Sequence, residues 1–174
     1  MGYHITLESA DNMPQLAKGG KYVYSWSIIN EDGGILLPEE ARHEYQLEPG
    51  ERVILMPGSK TSGGFSIAKK SRIERSKLSD ILMQNSDLAE FKIEEGKIVN
   101  VSGKILCWAT IYENGQLLLP PPILEAYGVK PRDRLLVIRG SSMGIGLAAK
   151  GPLVEEARKH PEIVVFRLGN NLNM

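Results

Sequence analysis

The chain has 174 residues, enough to bury one or two modest cores. Its 21 Lys and Arg balance 21 Asp and Glu, so it lacks the overall basic excess that marks most nucleic-acid binders. Residues 1–20 do not follow the signal-peptide order of a basic region and then an apolar one, no apolar run reaches the ~18–20 residues of a membrane span, and the single Cys107 cannot form an internal disulfide; a cytoplasmic protein with no membrane partner is the expectation.

In chain order, residues 3–7 have strand character within an otherwise polar N-terminal segment, 1–22. Trp26, Ile28 and Ile29 form an aromatic and β-branched run, hence a strand. Asp32-Gly33-Gly34 is a turn signal, because glycine supplies positive φ at no steric cost. Ile35-Leu36-Leu37 is a short buried strand, and Pro38 ends it and opens a helix over 39–45. Glu39 and Glu40 sit where the helix dipole favours acids. Pro49-Gly50 makes a second turn, and strands follow at 52–56 and 65–68 around a glycine-containing loop.

In the next stretch, Ile73, Leu78, Ile81 and Leu82, with charges between them, predict an amphipathic helix over 71–85. A strand is expected over 97–101. Near the end, 152–160 reads as a helix stopped by Pro161, and 163–168 as a strand. The chain thus divides into a segment 1–22, a unit 23–70, a linker 71–104, a second unit 105–150 and a helix–strand tail 151–174.

The two units are copies of one another. Residues 26–59 and 108–141 align at a constant offset of 82 with no gap. Trp26/Trp108, Ile29/Ile111, Gly33/Gly115, Leu37/Leu119, Pro38/Pro120, Tyr45/Tyr127, Arg52/Arg134 and Gly58/Gly140 are among the identical pairs. Two copies argue against an open solenoid and for a closed pair, each covering the other's apolar face about a pseudo-two-fold axis. The charges have diverged: residues 24–70 carry five basic and seven acidic side chains, residues 105–150 five and three.

Gly33-Gly34-Ile35-Leu36-Leu37-Pro38 followed by Leu47-Glu48-Pro49-Gly50-Glu51-Arg52 resembles the signature of the AbrB/SpoVT swapped-hairpin family. Gly115-Gln116-Leu117-Leu118-Leu119-Pro120 with Val129-Lys130-Pro131-Arg132-Asp133-Arg134 repeats it more loosely. The tandem layout is similar to that of MraZ, without its arginine motif. The resemblance implies a mainly β fold with short helices, in which two AbrB-like swapped-hairpin repeats form a pseudo-dimeric β-barrel. It implies a DNA-binding transcriptional regulator, a non-enzyme, working on double-stranded DNA as a homo-oligomer. The alternative from another class is a barrel that has lost DNA binding and serves protein–protein interaction or oligomer assembly.

The family's DNA contacts lie on arginines in the first strand, after the turn glycine and in the helix. The matching positions here are Ser27 and Ala109, Gly34 and Gln116, Arg42-His43 and Leu124-Glu125, so Arg42 alone keeps the arginine. Losing phosphate contacts weakens binding by orders of magnitude at physiological salt. Other cations could replace them, and the candidate nucleic-acid-binding set is Arg42, His43, Lys69, Lys70, Arg72, Arg75, Lys130 and Arg132. Arg52 and Arg134 recur at matched positions and are expected to make structural salt bridges or to line a barrel edge.

Other chemistry is weakly signalled. Gly144-x-Gly146-x-x-Ala149 formally fits a dinucleotide fingerprint, but turn glycines explain it, and no acidic ribose ligand follows. His4, His43 and His160 are scattered, so neither a metal nor another cofactor is expected. Trp26 and Trp108 are read as core anchors, and Cys107 as a buried, inert thiol.

Overall fold

The computed structural model describes residues 21–140 and 143–168; the strand expected at 3–7 and the final residues 169–174 lie outside them. The fold is mainly β with short helices. The first copy supplies β1 (Val23–Ile28), β2 (Gly34–Leu36), α1 (Glu39–Glu44), β3 (Arg52–Pro57) and β4 (Phe65–Lys69). The linker holds α2 (Lys70–Glu74), α3 (Ser79–Gln84), α4 (Ser86–Ala89) and β5 (Val99–Val101). The second copy supplies β6 (Lys104–Thr110), β7 (Gln116–Leu118), α5 (Pro121–Ala126), β8 (Arg134–Arg139) and β9 (Gly144–Ala148), and α6 (Pro152–Ala157) and β10 (Val165–Arg167) follow.

Eight strands form a mixed sheet in the order β10-β1-β8-β9-β4-β3-β6-β5, and β2 and β7 pair separately. Exchanging β1 with β6, β3 with β8, β4 with β9 and β5 with β10 returns the same order reversed. The registers obey the same exchange. Trp26 faces Leu136 as Trp108 faces Ile54, and Ile28 faces Arg134 as Thr110 faces Arg52. Each copy's first strand therefore pairs with the other copy's third, and both copies lie in one chain. The outermost strands break the exchange, because β5 lies antiparallel to β6 whereas β10 lies parallel to β1.

The expected closed barrel is not formed. The sheet ends at β10 and β5, and no pairing joins these edges among the described residues. Both edge strands come from the unrepeated segments, which extend the ladder outward instead of closing it.

Burial accounts for the sequence pattern. One face of the central strands carries Val53, Leu55, Phe65, Ile67, Leu135, Val137, Ile145 and Leu147, packed with Ile35 and Leu117 of the small ribbon and with Ala41, Tyr45, Ile123 and Tyr127 of α1 and its counterpart α5. The opposite face is covered in two wings. The linker helices cover Ile54, Met56, Leu106 and Trp108. The tail covers Trp26, Leu136, Ile138 and Ala148 with Val154, Ala157 and Ile163. β3 and β8 are buried on both sides, so they read as continuous apolar runs instead of alternating ones.

Three expectations shift in detail. The helix expected over 71–85 is broken into short pieces, because Ser76 Oγ donates to the Ile73 carbonyl and accepts from the Leu78 amide. Gly144 and Gly146 lie inside β9 and not in a turn. A Cβ at Gly144 would stand 2.1 Å from the Ile67 carbonyl oxygen, so the glycine permits β4 and β9 to approach. The offset of the repeat also changes: Leu55 faces Ile67, twelve positions on, whereas Val137 faces Leu147, ten positions on, so the second hairpin is two residues shorter.

Ser25 is fully buried, and its hydroxyl finds no partner among the described residues. Ser27, two residues on, donates to the Leu36 carbonyl at 2.7 Å. The repeat places Cys107 opposite Leu55 where Ser25 stands opposite Val137. Removing an unsatisfied buried hydroxyl relieves its desolvation. Ser25→Ala is expected to raise stability by about 1 kcal/mol, read as a higher urea midpoint, whereas Ser27→Ala lowers it by a similar amount.

Candidate functional site

The candidate cations are placed by four different elements, and most are engaged within the chain. Arg42 lies on α1, where its Nε donates to the Leu37 carbonyl at 3.0 Å. Its guanidinium rests on the backbone of Gly115 in the other copy; a Cβ there would come within 2.2 Å of Nε. Leu124, at the matching place on α5, is 3% exposed. Arg42 thus fills a packing position between the copies that an apolar side chain fills on the opposite side.

Lys69 donates to the Gln46 carbonyl at 3.1 Å and lies 3.6 Å from Glu51. Lys70 pairs with Glu74 at 3.9 Å. Arg72 stacks over Tyr45 at 5.1 Å. Lys130 binds Asp133 at 3.0 Å, and Arg132 pairs with Glu31 across the copies. His43 and Arg75 are exposed. Lys69, Lys70, Arg72 and Arg75 are gathered at the junction of β4 and α2, but Lys130 and Arg132 lie on the α5–β8 turn next to Glu31 and Asp32. Asp32 itself accepts from the Gly34 amide, which closes the β1–β2 turn.

Among the described residues, Arg52 and Arg134 do not form the salt bridge expected of them. Each stands one step from the other copy's tryptophan and stacks on it: Arg134 over Trp26 at 5.3 Å and Arg52 over Trp108 at 5.6 Å. Trp26 is 2% exposed and Trp108 9%, so both are core anchors whose outer surface receives a guanidinium. Such contacts contribute roughly 0.5–1 kcal/mol at exposed sites. Matched arginines therefore reflect matched tryptophans.

A cleft of about 710 Å³ opens beside β3, lined by Gly50, Glu51, Arg52, Lys69, Lys70, Ser71, Glu74 and Phe91. A second, of about 560 Å³, lies where the two covered wings part over β4 and β9. Its floor is formed by Ser66, Gly146 and Ala148, side chains too small to fill it.

One polar cluster has no counterpart among the sequence expectations. On one side of the pseudo-dyad, Tyr22 donates to Glu40 and Tyr24 to Glu44. Arg139 of the second copy binds Glu44 at 2.7 Å and covers the Tyr22 ring at 4.4 Å. The opposite side has Lys104, Leu106, Pro122, Ala126 and Pro57 at the matching positions and no such cluster. The alternation Tyr22/Tyr24 at the start of β1 and the spacing Glu40/Glu44 on α1 are legible signals; their meeting is not.

Burial, and the glutamates that accept their protons, hold the Tyr22 and Tyr24 phenols well above the usual tyrosine range. Both stay protonated in the folded chain after the unfolded chain has begun to ionise, near the ordinary value of 10.0. Stability is therefore fully present below that value and falls as pH rises beyond it. Thermal melts are expected to show a steep alkaline loss, and Tyr22→Phe with Tyr24→Phe should flatten it. Burial likewise pushes the Cys107 thiol up to about 12, in keeping with an inert core position.

Among the described residues, no helix is long and apolar enough to cross a membrane, and no cluster of His, Cys, Asp or Glu could hold a metal. No family model matches the chain, and no curated protein matches it.

Proposed function

We propose that the chain is a single-chain counterpart of an AbrB/SpoVT swapped-hairpin dimer that has given up the family's DNA contact and serves protein–protein interaction or oligomer assembly. The observation that carries this reading is the state of Arg42. It is the one arginine left at the family's contact positions, and its Nε is engaged by the Leu37 carbonyl while its guanidinium packs beside Gly115 of the other copy. Ion pairs also engage Lys69, Lys70, Lys130 and Arg132. A phosphate group would have to compete with these acids for each cation. In support of a protein partner, Leu118 on the small ribbon is 43% exposed and nearby Tyr112 41%. Gly34, across the ribbon from Leu118, is by contrast covered by Leu168.

A second reading, a DNA-binding regulator, is favoured by one observation: Arg52, Lys69 and Lys70 share a cleft, and Arg72 on α2 and Arg75 just after it continue the basic run in sequence. Fluorescence anisotropy with duplex DNA, from about 50 mM salt upward, separates the two. The interaction reading expects no binding at the lowest salt, together with self-association or a copurifying protein free of nucleic acid. Tight binding with a steep salt slope, lost in Arg75→Ala with Lys70→Ala, would favour the regulator.

A further inference from the structure

We propose that the cleft beside β3 is a phosphate-binding site anchored by Arg52. This inference does not depend on the interaction reading above. Arg52 lies over Phe91 at 5.4 Å and Trp108 at 5.6 Å. The neighbouring carboxylate, Glu51, turns to Lys69 instead. A guanidinium held by its face keeps its edge donors free, and that planar fork matches two oxygens of a phosphate. The aromatic seat also fixes the side chain beforehand, so little rotamer freedom is lost on binding.

Lys69, Lys70 and Ser71 line the same cleft and add charge and a hydroxyl. The lysine pairs with Glu51 and Glu74 are long, at 3.6 and 3.9 Å, and only partly buried, so an incoming phosphate competes with weak partners there and, at Lys69, with the Gln46 carbonyl. The two carboxylates limit how much negative charge the cleft accepts, which favours one or two phosphate groups. Phe91 holds a φ of 57°, a region costly for a bulky residue, and thereby places its ring edge-on to Trp108 at 5.4 Å. The chain accepts that strain at the wall of the cleft.

The second copy supplies an internal control. Arg134 is stacked on Trp26 in the same way. After the two-residue shift of the shorter hairpin, Lys150 stands where Lys70 stands, but Ala149, Gly151 and Val154 replace Lys69, Ser71 and Glu74 of the first copy. The stacked arginine is thus common to both copies, and the phosphate cleft belongs to the first alone.

Phosphate could arrive on a small molecule or on a nucleic-acid backbone. Trp26→Phe leaves Trp108 as the sole tryptophan, and its emission reports on the cleft. Titration of this protein with pyrophosphate and with AMP is expected to give a saturable change in emission. Arg52→Gln should weaken binding at least tenfold, Lys69→Ala with Lys70→Ala severalfold, and Arg134→Gln not at all. Arg52→Lys, which keeps the charge and loses the fork, should also bind weakly while retaining the parent's urea midpoint. A short duplex DNA tested as competitor identifies the source: competition at low salt assigns the site to a nucleic-acid backbone, and its absence assigns it to small phosphates. No saturation with any of these probes, or equal binding by Arg52→Gln and its parent, overturns the proposal.

Discussion

Gly33→Ala is expected to destabilise the chain by about 4 kcal/mol, a large fraction of the roughly 5–15 kcal/mol that keeps a domain folded. Gly33 has a φ of 90°, and its carbonyl accepts the Leu119 amide of the other copy at 3.0 Å. A Cβ there would stand 2.1 Å from the Leu119 carbonyl oxygen. That obstacle is backbone in a paired ribbon, and it cannot yield without breaking the crossing of the two copies. Gly115 is the mate of Gly33, with a φ of 89° and its carbonyl accepting the Leu37 amide at 3.0 Å. Its Cβ would meet the movable Arg42 guanidinium instead. Gly115→Ala should therefore cost less, about 1–3 kcal/mol of backbone strain and displaced packing. Urea unfolding of both variants checks the order; equal losses would mean that the ribbon is not where the copies lock.

The second large effect is at Trp108. Its ring lies among Ile54, Leu106, Leu88 and the linker helices, and its Nε1 donates to the Ile93 carbonyl at 2.7 Å. Trp108→Ala removes this volume and orphans that carbonyl, at an expected cost of about 3–5 kcal/mol. It also removes the seat of Arg52 and one partner of Phe91, so phosphate binding in the cleft should be lost as well. Trp108→Phe keeps most of the packing and gives up the hydrogen bond, with an expected loss of roughly 1–2 kcal/mol. Chemical denaturation with the phosphate titration on the same variants would show whether the two losses travel together.

Much of the architecture is legible in the order of residue types. Paired turn glycines, Leu-Pro steps and tryptophans at one offset declare two like units, and the registers around Trp26 and Trp108 repeat each other accordingly. Residue types together with turn glycines and prolines place the described strands and α1 to within a few residues. Periodicity fails over 71–85, because the competing bonds of Ser76 depend on local geometry that an apolar spacing does not reveal. It also over-closes the sheet, since the expectation draws on the repeats and the edges belong to segments outside them.

The sites are far less legible. Arg42 reads as a surface cation at a family contact position, and its partners, Leu37 and Gly115, come from a neighbouring turn and from the other copy. Arg52 and Phe91 lie 39 positions apart, and Tyr24 and Arg139 lie 115 apart. By itself the sequence determined the repeat, the apolar strands, the turn positions and the neutral charge, because these depend on residue type and near neighbours. Only the tertiary structure decided which cations are spent internally, which arginine stays open and which wing of the sheet carries a cleft. Those outcomes turn on distances between residues remote in the chain, and composition and spacing do not encode such distances.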